Sequence, residues 1–270
     1  MDGVKLEDHE FVRFQSWLLQ AAGINLSPAK KALVSGRLWK RLKHYGLTSY
    51  SQYFHMLMED GGGGELQVAL DLLTTNETYF FREPRHFDFM REAALPKGKL
   101  RRIFRVWSAA CSTGEEVYTI AMILGLHFGQ DPWEILGTDI SQRVLKVAMS
   151  GHYPMERAKN IPQEYLKKYC LKGFGSQEGT FLINRELRSK VRFMQLNLNE
   201  VLPETGEFDM IFLRNVMIYF NLETKRKLVA RLLPRLRPGG YFLVSHSESL
   251  NGICDSLRLV RPSIYQKPVP

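Results

Sequence analysis

The sequence predicts two unlike parts in one chain: a small all-helical domain over residues 1–75, then an α/β domain over residues 76–270 with a mostly parallel sheet. Three observations predict this. Up to Thr75 apolar residues recur at spacings of three and four, with little strand signal. From Arg102 onward short β-rich runs alternate with helical ones. The first of those runs leads through "RVWSAACSTGEE" (105–116), a strand, a glycine turn and a helix start, which is how a doubly wound sheet opens its ligand crevice.

Taken in order, "DHEFVRFQSWLLQAAG" is the first helix, and Ser27-Pro28 caps a second that runs from about Pro28 to Tyr45 and stops at Gly46. "TSYSQYFHMLM" and "ELQVALDLLTT" follow as helices, joined by Gly61–Gly64 as a flexible connection. Between Phe11 and Met58 there is no Asp or Glu, yet the stretch holds Arg13, Lys30, Lys31, Arg37, Lys40, Arg41 and Lys43. At 100° per residue Lys30, Arg37, Arg41 and His44 share one direction, while Leu38, Leu42, Trp39 and Ala32 share the other. The apolar side is expected to dock. The basic side is either a solvated face or a surface for an anionic partner, and the missing acids favour the partner.

In the α/β part the expected strands are "RIFRVWSA", "EILGTDI", "VRFMQLNL", "FDMIFLRN" and "GYFLVSHS", and the helices are "GEEVYTIAMILGLHF", "SQRVLKVAMSG" and "LETKRKLVARLLPRL". Residues 171–190, "LKGFGSQEGTFLINRELRSK", break the alternation with glycine-punctuated hairpins and read as a small antiparallel β insertion.

With 270 residues, 44% of them hydrophobic, the chain can build a sizeable core. The N-terminus "MDGVKLEDHE" is polar, and no later run reaches the roughly 20 apolar residues of a membrane span, so a cytoplasmic protein without membrane insertion is expected. Cys111, Cys170 and Cys254 form no Cys-x-x-Cys pair, which indicates neither a disulfide framework nor a zinc site; no metal is expected. The net charge of +9 admits nucleic acid, an anionic surface or an acidic protein as partner.

The turn after the first strand narrows the ligand. A dinucleotide fingerprint needs three glycines so that backbone can approach a pyrophosphate, whereas "AACSTGEE" has only Gly114 and then puts Glu115 and Glu116 at the helix N-terminus, where they repel phosphate. Such a site suits a cationic, hydroxyl-bearing ligand, and S-adenosylmethionine has a sulfonium, an ammonium and a ribose; the acids equally suit the helix dipole. Asp139 in "EILGTDIS" stands where a ribose-binding acid belongs, or caps the next helix, a task Ser141 can also perform. Asn197 in "QLNLNE" is placed to meet an adenine edge, and Arg214-Asn215 ends the almost continuously apolar run "FDMIFLRN".

Together "TTNETYFFREPRHF", "WSAACSTGEEVYTIAM", "GTDIS" and "FLRNVMIYF" resemble the CheR family of chemotaxis receptor methyltransferases over nearly the whole chain. The resemblance implies a Rossmann-like class I S-adenosylmethionine-dependent methyltransferase domain behind an all-helical domain. It implies methyl transfer to glutamate side chains on the cytoplasmic helices of methyl-accepting chemoreceptors, with S-adenosylhomocysteine as product. Cofactor contacts then fall on Asn76, Thr78, Arg82, Gly114, Glu116, Asp139, Asn197, Leu198, Arg214 and Asn215. The resemblance implies that Tyr219 lies near the transferred methyl, and Arg82 and Tyr219 are expected to orient cofactor and substrate carboxylate; an Arg82 paired with Glu83 or another surface acid and a Tyr219 packed on the sheet are the plainer roles. Lys30, Arg37, Arg41 and Lys43 fall at the positions that recognise the receptor, and the insertion resembles the version that holds a receptor C-terminal tail peptide, or it covers the crevice.

Nucleic-acid methyltransferases fit less well. Amino-group enzymes place an Asn/Asp-Pro-Pro-aromatic run where this chain has Arg214-Asn215-Val216-Met217, and the cytosine C5 type needs a Cys beside Pro, which no cysteine here has. A methyltransferase acting on nucleic acid or another protein is one alternative, a non-catalytic module that binds S-adenosylmethionine or receptor tails is another that only an activity assay separates, and a dinucleotide oxidoreductase is disfavoured by the lone glycine.

Overall fold

The computed structural model describes residues 4–59, 64–96 and 98–269, which divide into two compact units. The first unit comprises the residues up to Thr75 together with the segment Tyr219–Thr224. Its helices are α1 (Asp8–Ala22), α2 (Lys31–Tyr45), α3 (Tyr50–Glu59) and α4 (Gly64–Leu73), with a 3-10 turn, Pro28–Lys30, leading into α2. The expected glycine connection falls outside the described residues at Gly61–Gly63, while Gly64 already belongs to α4.

Helix α1 starts on a reciprocal cap. Glu7 accepts from the backbone of Glu10, and the Glu7 N–H donates to Glu10 Oε2 at 2.9 Å. The other Glu10 oxygen takes the Ser51 N–H at 2.7 Å, so one buried carboxylate joins the start of α1 to the start of α3. The α2 stripe Val34, Leu38 and Leu42, four residues apart, is fully buried with Phe14, Leu18, Tyr50, Tyr53, Leu57 and Ala69. The docking side is therefore rotated from the expected one: Ala32 is exposed and Trp39 only half-buried, because Val34 rather than Ala32 leads the stripe. Ile24 bridges Phe220 antiparallel, and the Asn25 N–H donates to the Tyr219 carbonyl at 2.8 Å.

The second unit runs in chain order α5 (Pro84–Phe89), β1 (Phe104–Ser108), α6 (Glu115–Phe128), β2 (Trp133–Asp139), α7 (Gln142–Ser150) and β3 (His152–Pro154). Then come α8 (Gln163–Tyr169), β4 (Cys170–Lys172), β5 (Thr180–Ile183), α9 (Arg185–Arg188), β6 (Val191–Gln195) and β7 (Phe208–Phe212). It closes with α10 (Leu222–Leu232), counted here from Lys225 onward, β8 (Leu236–Leu243), β9 (Arg258–Arg261) and β10 (Ile264–Gln266).

Seven strands form one sheet in the order β6-β2-β1-β7-β8-β10-β9. The first five are parallel, with Val106 of β1 opposite both Ile135 of β2 and Met210 of β7; β10 and β9 add antiparallel. That antiparallel end is not expected from the sequence, since "RLVR" and "IYQ" are too short and too polar to declare a strand pair. β7 is buried at all five positions, which explains its almost wholly apolar run, and its one acid, Asp209, is paired with Arg102 and Arg237. From β1 the chain winds outward one way to β2 and β6 and the other way to β7 and β8, so the switch point lies between β1 and β7.

A second sheet of three antiparallel strands has the order β3-β5-β4. It starts earlier than the expected span of 171–190: its third strand is His152–Pro154, and Arg185–Arg188 is helical. His152–Pro154 had no strand pattern of its own and is strand only because it pairs with Thr180–Leu182.

Candidate active site at the carboxyl ends of the central strands

The turn between β1 and α6 passes through Ser112 and Gly114, both with positive φ (49° and 93°). A Cβ on Gly114 would stand 2.9 Å from the Ala148 Cβ and 3.0 Å from the Tyr153 hydroxyl, so glycine alone lets α6 begin this close to α7. The two acids after it diverge. Glu115 is wholly buried, accepts from Thr113 Oγ1 (2.6 Å) and Arg157 Nη1 (3.1 Å), and burial raises its carboxyl above the usual range. Glu116 instead accepts from Ser108 Oγ at the end of β1 (2.7 Å) and from Arg214 Nη1 (2.6 Å).

Arg214, just past β7, is buried beneath these groups. Its Nη1 pairs with Glu116, its Nη2 reaches Glu83 Oε2 at 3.1 Å and the Arg82 carbonyl, and its Nε is buried without a partner among the described residues. Asn215 follows with φ 57°, donating its N–H to Glu248 Oε2 at 3.0 Å and its amide Nδ2 to Glu83 Oε1 at 3.3 Å. Burial works to raise the Glu83 carboxyl, but the Arg214 guanidinium and the Asn215 amide outweigh it and leave it below the usual range.

Beside Glu83, His86 is fully buried, its Nε2 2.7 Å from Ser263 Oγ, and burial with the nearby Arg214 charge pushes its imidazole down to about 3, so it is neutral. Glu83, His86 and His246 bring ligand-type atoms within 4.8 Å of one another. The Glu83 oxygens are already committed to Arg214, to Asn215 and to the His246 N–H (3.2 Å), which makes this a polar scaffold and not a cation cage.

On the other flank, Asp139 ends β2 and takes the Ser112 N–H on Oδ2 (2.8 Å) and the Ser141 N–H on Oδ1 (3.0 Å). The cap of α7 is Ser141, whose Oγ accepts from the Val144 N–H. Asn76 is drawn to the same turn, its carbonyl accepting from Ser112 Oγ at 2.7 Å, and the Thr78 carbonyl accepts from Arg157 Nη1 at 2.8 Å. Arg82 does not reach for Glu83: its Nη1 donates to the Glu77 carbonyl (2.7 Å) and its guanidinium lies over the Tyr79 ring. Asn197 and Leu198 sit in the turn after β6, where Asn197 Nδ2 donates to Glu200 and the Leu198 carbonyl accepts from Arg231 Nη1.

Of the expected cofactor positions, then, Glu116, Arg214, Asn215 and the Arg82 backbone form one hydrogen-bonded group, and Asp139 joins Asn76 through Ser112. Gly114 shapes the turn between them, while Asn197-Leu198 makes a local knot at the next strand end. Glu83 and Glu248 were missed. Glu83 lies inside the quoted "FFREPRHF", and an acid beside an arginine reads as its ion-pair partner; Glu248 in "SHSES" carries no spacing that ties it to Asn215.

In the first unit, Arg37 donates to the Leu73 and Thr74 carbonyls (both 3.0 Å) and caps the end of α4. Arg41 forms a two-pronged pair with Glu65 (2.8 and 2.5 Å), and Glu65 also accepts from Tyr53 (2.6 Å) and Tyr45 (3.0 Å). The compensating acids missing from the basic window come from outside it, Glu65 on α4 and Asp8 on α1, the latter paired with Lys31. Lys30 and Lys43 are exposed, Lys43 lying 5.0 Å over the Trp39 ring. Tyr219 belongs to the first unit and is half-buried.

Two family models cover nearly the whole chain: "CheR methyltransferase, all-alpha domain" at residues 9–74 and "CheR methyltransferase, SAM binding domain" at residues 76–265. The "Chemotaxis protein methyltransferase" of Escherichia coli K12 is 38% identical over 96% of this chain and 91% of its own length. That of Borreliella burgdorferi is 40% identical over 91% and 89%, and "Chemotaxis protein methyltransferase 2" of Pseudomonas aeruginosa is 39% identical over 95% and 92%. No helix among the described residues is long and apolar enough to cross a membrane. An α/β unit whose polar strand-end residues converge at the β1/β7 switch, an all-helical unit before it in the chain, and this degree of likeness make the chain a member of the CheR family of S-adenosylmethionine-dependent chemotaxis methyltransferases.

Proposed function

We propose that this methyltransferase esterifies glutamate side chains on the cytoplasmic helices of methyl-accepting chemoreceptors, and that its cofactor lies across the carboxyl ends of β6, β2, β1 and β7. The observation that carries this is the Arg214 group: a buried guanidinium strung between Glu116 and Glu83, with one donor, Nε, left over beside a backbone turn of positive φ.

The residues fit S-adenosylmethionine. Glu116 and Asp139 offer carboxylates to a cation and to ribose hydroxyls, Asn197 offers an amide for a base edge, and a single glycine turn gives phosphate no cradle. Bound there, the cofactor supplies an electrophilic methyl on a sulfonium, which an already ionised carboxylate can take without a general base. The chain's own work is positioning and exclusion of water. Arg82 keeps the Glu77–Glu83 loop in place through its bond to Glu77 and its stack on Tyr79. Tyr219 orients the incoming carboxylate, so Tyr219→Phe is expected to lower turnover about tenfold, the low end for a lost positioning contact, with S-adenosylhomocysteine affinity unchanged in calorimetry. Unaltered turnover would take Tyr219 out of the mechanism.

Lys30, Arg37, Arg41 and Lys43 meet the receptor's acidic helices in this reading, the exposed lysines directly and the arginines through the α2–α4 surface they hold. A receptor C-terminal tail peptide adds as an extended strand along β4, one of the two outer strands of the small sheet, where Leu171 on the strand and Phe174 just past it are exposed (57% and 86%). Calorimetry with a tail peptide tests that part alone.

The whole proposal is tested by incubating the protein with tritiated S-adenosylmethionine and a receptor cytoplasmic fragment, then releasing label with base. Volatile methanol identifies glutamate esters; label that survives base on protein or nucleic acid contradicts them.

A further inference from the structure

The loop after β7 has an anchor that lies outside every residue assigned above. Glu248 follows β8, and its half-buried carboxylate collects three backbone N–H groups. Oε2 accepts from Asn215 (3.0 Å) and from Ser245 (2.9 Å), and Oε1 accepts from Ile218 (3.2 Å). One side chain thus ties the exit of β8 to both ends of the turn Asn215–Ile218.

That turn needs holding. Asn215 sits at φ 57°, a backbone region that non-glycine residues occupy at a cost unless their surroundings fix it. The turn leads into a short 3-10 turn at Met217–Tyr219, and the Asn215 and Ile218 N–H groups both point to the same carboxylate. A carboxylate suits the task because it is all acceptor, with two oxygens for three donors. An amide in its place turns an NH2 toward N–H groups in either orientation, leaving Ile218 or the Asn215/Ser245 pair without an acceptor. The clamp also sets the direction of Arg214, one residue earlier, whose fork must meet Glu116 and Glu83 together.

We infer that Glu248 is a positioning residue for methyl transfer: it fixes the Arg214–Ile218 loop in the shape that receives the cofactor, without touching the cofactor or the substrate. This rests on the reading that Arg214 and Asn215 contact S-adenosylmethionine, so the test carries a control for that reading.

S-adenosylhomocysteine binding is measured by calorimetry on the full chain for wild type, Arg214→Lys, Glu248→Gln and Glu204→Gln, the last being a surface acid paired with Arg235. The expected result is about a tenfold rise in Kd for Glu248→Gln, with Tm lowered by only a few degrees, the KM for the receptor fragment unchanged, and Glu204→Gln like wild type. If Arg214→Lys loses affinity while Glu248→Gln keeps it, the role given to Glu248 is wrong and the cofactor site stands. If Arg214→Lys binds like wild type, the site is wrong and the inference falls with it. An equal rise in receptor KM for Glu248→Gln means general loosening and also overturns it. Should Glu248→Gln not fold, Glu248→Asp, which keeps both oxygens on a shorter stem, replaces it, and wild-type affinity in that variant is the refuting result.

Discussion

Two of the molecule's arginine–glutamate groups look alike as distances and differ in their hydrogen bonding. In the helical unit Arg41 grips Glu65, and Tyr53 and Tyr45 supply the remaining donors, so the carboxylate is saturated from three sides. In the α/β unit Arg214 serves two carboxylates and a carbonyl and still has a buried Nε to spare, next to a residue of positive φ. The first is a closed lock between α2 and α4, and the second is an open one. On the proposed reading the first group holds the fold and the second meets the cofactor, and completeness of hydrogen bonding, more than burial or proximity, tells them apart.

The largest expected effect on catalysis comes from Arg214→Lys. A point ammonium cannot reproduce a planar fork spanning Glu116 and Glu83, and methyl transfer should fall by about 100-fold or more, read as initial rates with a receptor fragment. Next is Glu65→Ala, which strands the Arg41 charge and the Tyr53 hydroxyl and should cost about 3–5 kcal/mol in urea unfolding while cofactor affinity stays put. Burial works to raise the Glu65 carboxyl, but Arg41 and the two tyrosines win and hold it below the usual range. Its stabilising effect is therefore present above the ordinary carboxylate pKa and disappears as pH falls through the lower folded value, so the wild-type and Glu65→Ala stability curves should converge in acid. Convergence at neutral pH would mean the lock is worth little.

A smaller change separates the exposed cations from the locked ones. Lys30→Glu, with no ion-pair partner among the described residues, should raise the receptor KM by about 3–10-fold at low ionic strength and hardly at all in high salt. The smallest effect belongs to Glu115→Gln. Burial raises that carboxyl, so its charge is a cost above the folded pKa that is relieved as pH falls through it; at neutral pH the amide should be as stable as the acid within about 1 kcal/mol, or slightly more so. A loss of several kcal/mol would show the Arg157 pair to be worth more than its desolvation.

Much of this was readable in the chain. Alternation of strand and helix patterns located five of the seven main-sheet strands, because each of those is long and apolar enough to declare itself. The quoted motifs reached Glu116, Asp139 and Arg214, since a strand end followed by a turn puts polar residues at one rim of a parallel sheet whatever the details. What the chain hid was relational. The β9–β10 pair and His152–Pro154 are strands only through their partners. Glu65 answers Arg41 from 24 residues away, Glu248 answers Asn215 from 33, and neither spacing follows a helical or strand period. The acid-free window in the helical part was real as composition and misleading as electrostatics, because charge is balanced in space.

The main sheet finishes at both margins on strands that carry guanidinium groups, Arg192 on β6 and Arg258 with Arg261 on β9. An open sheet offers a row of unused peptide groups at each side, a template on which another molecule can grow. Cationic side chains along both borders, Arg261 among them with Glu92 at 3.8 Å, disfavour edge-to-edge pairing of two copies.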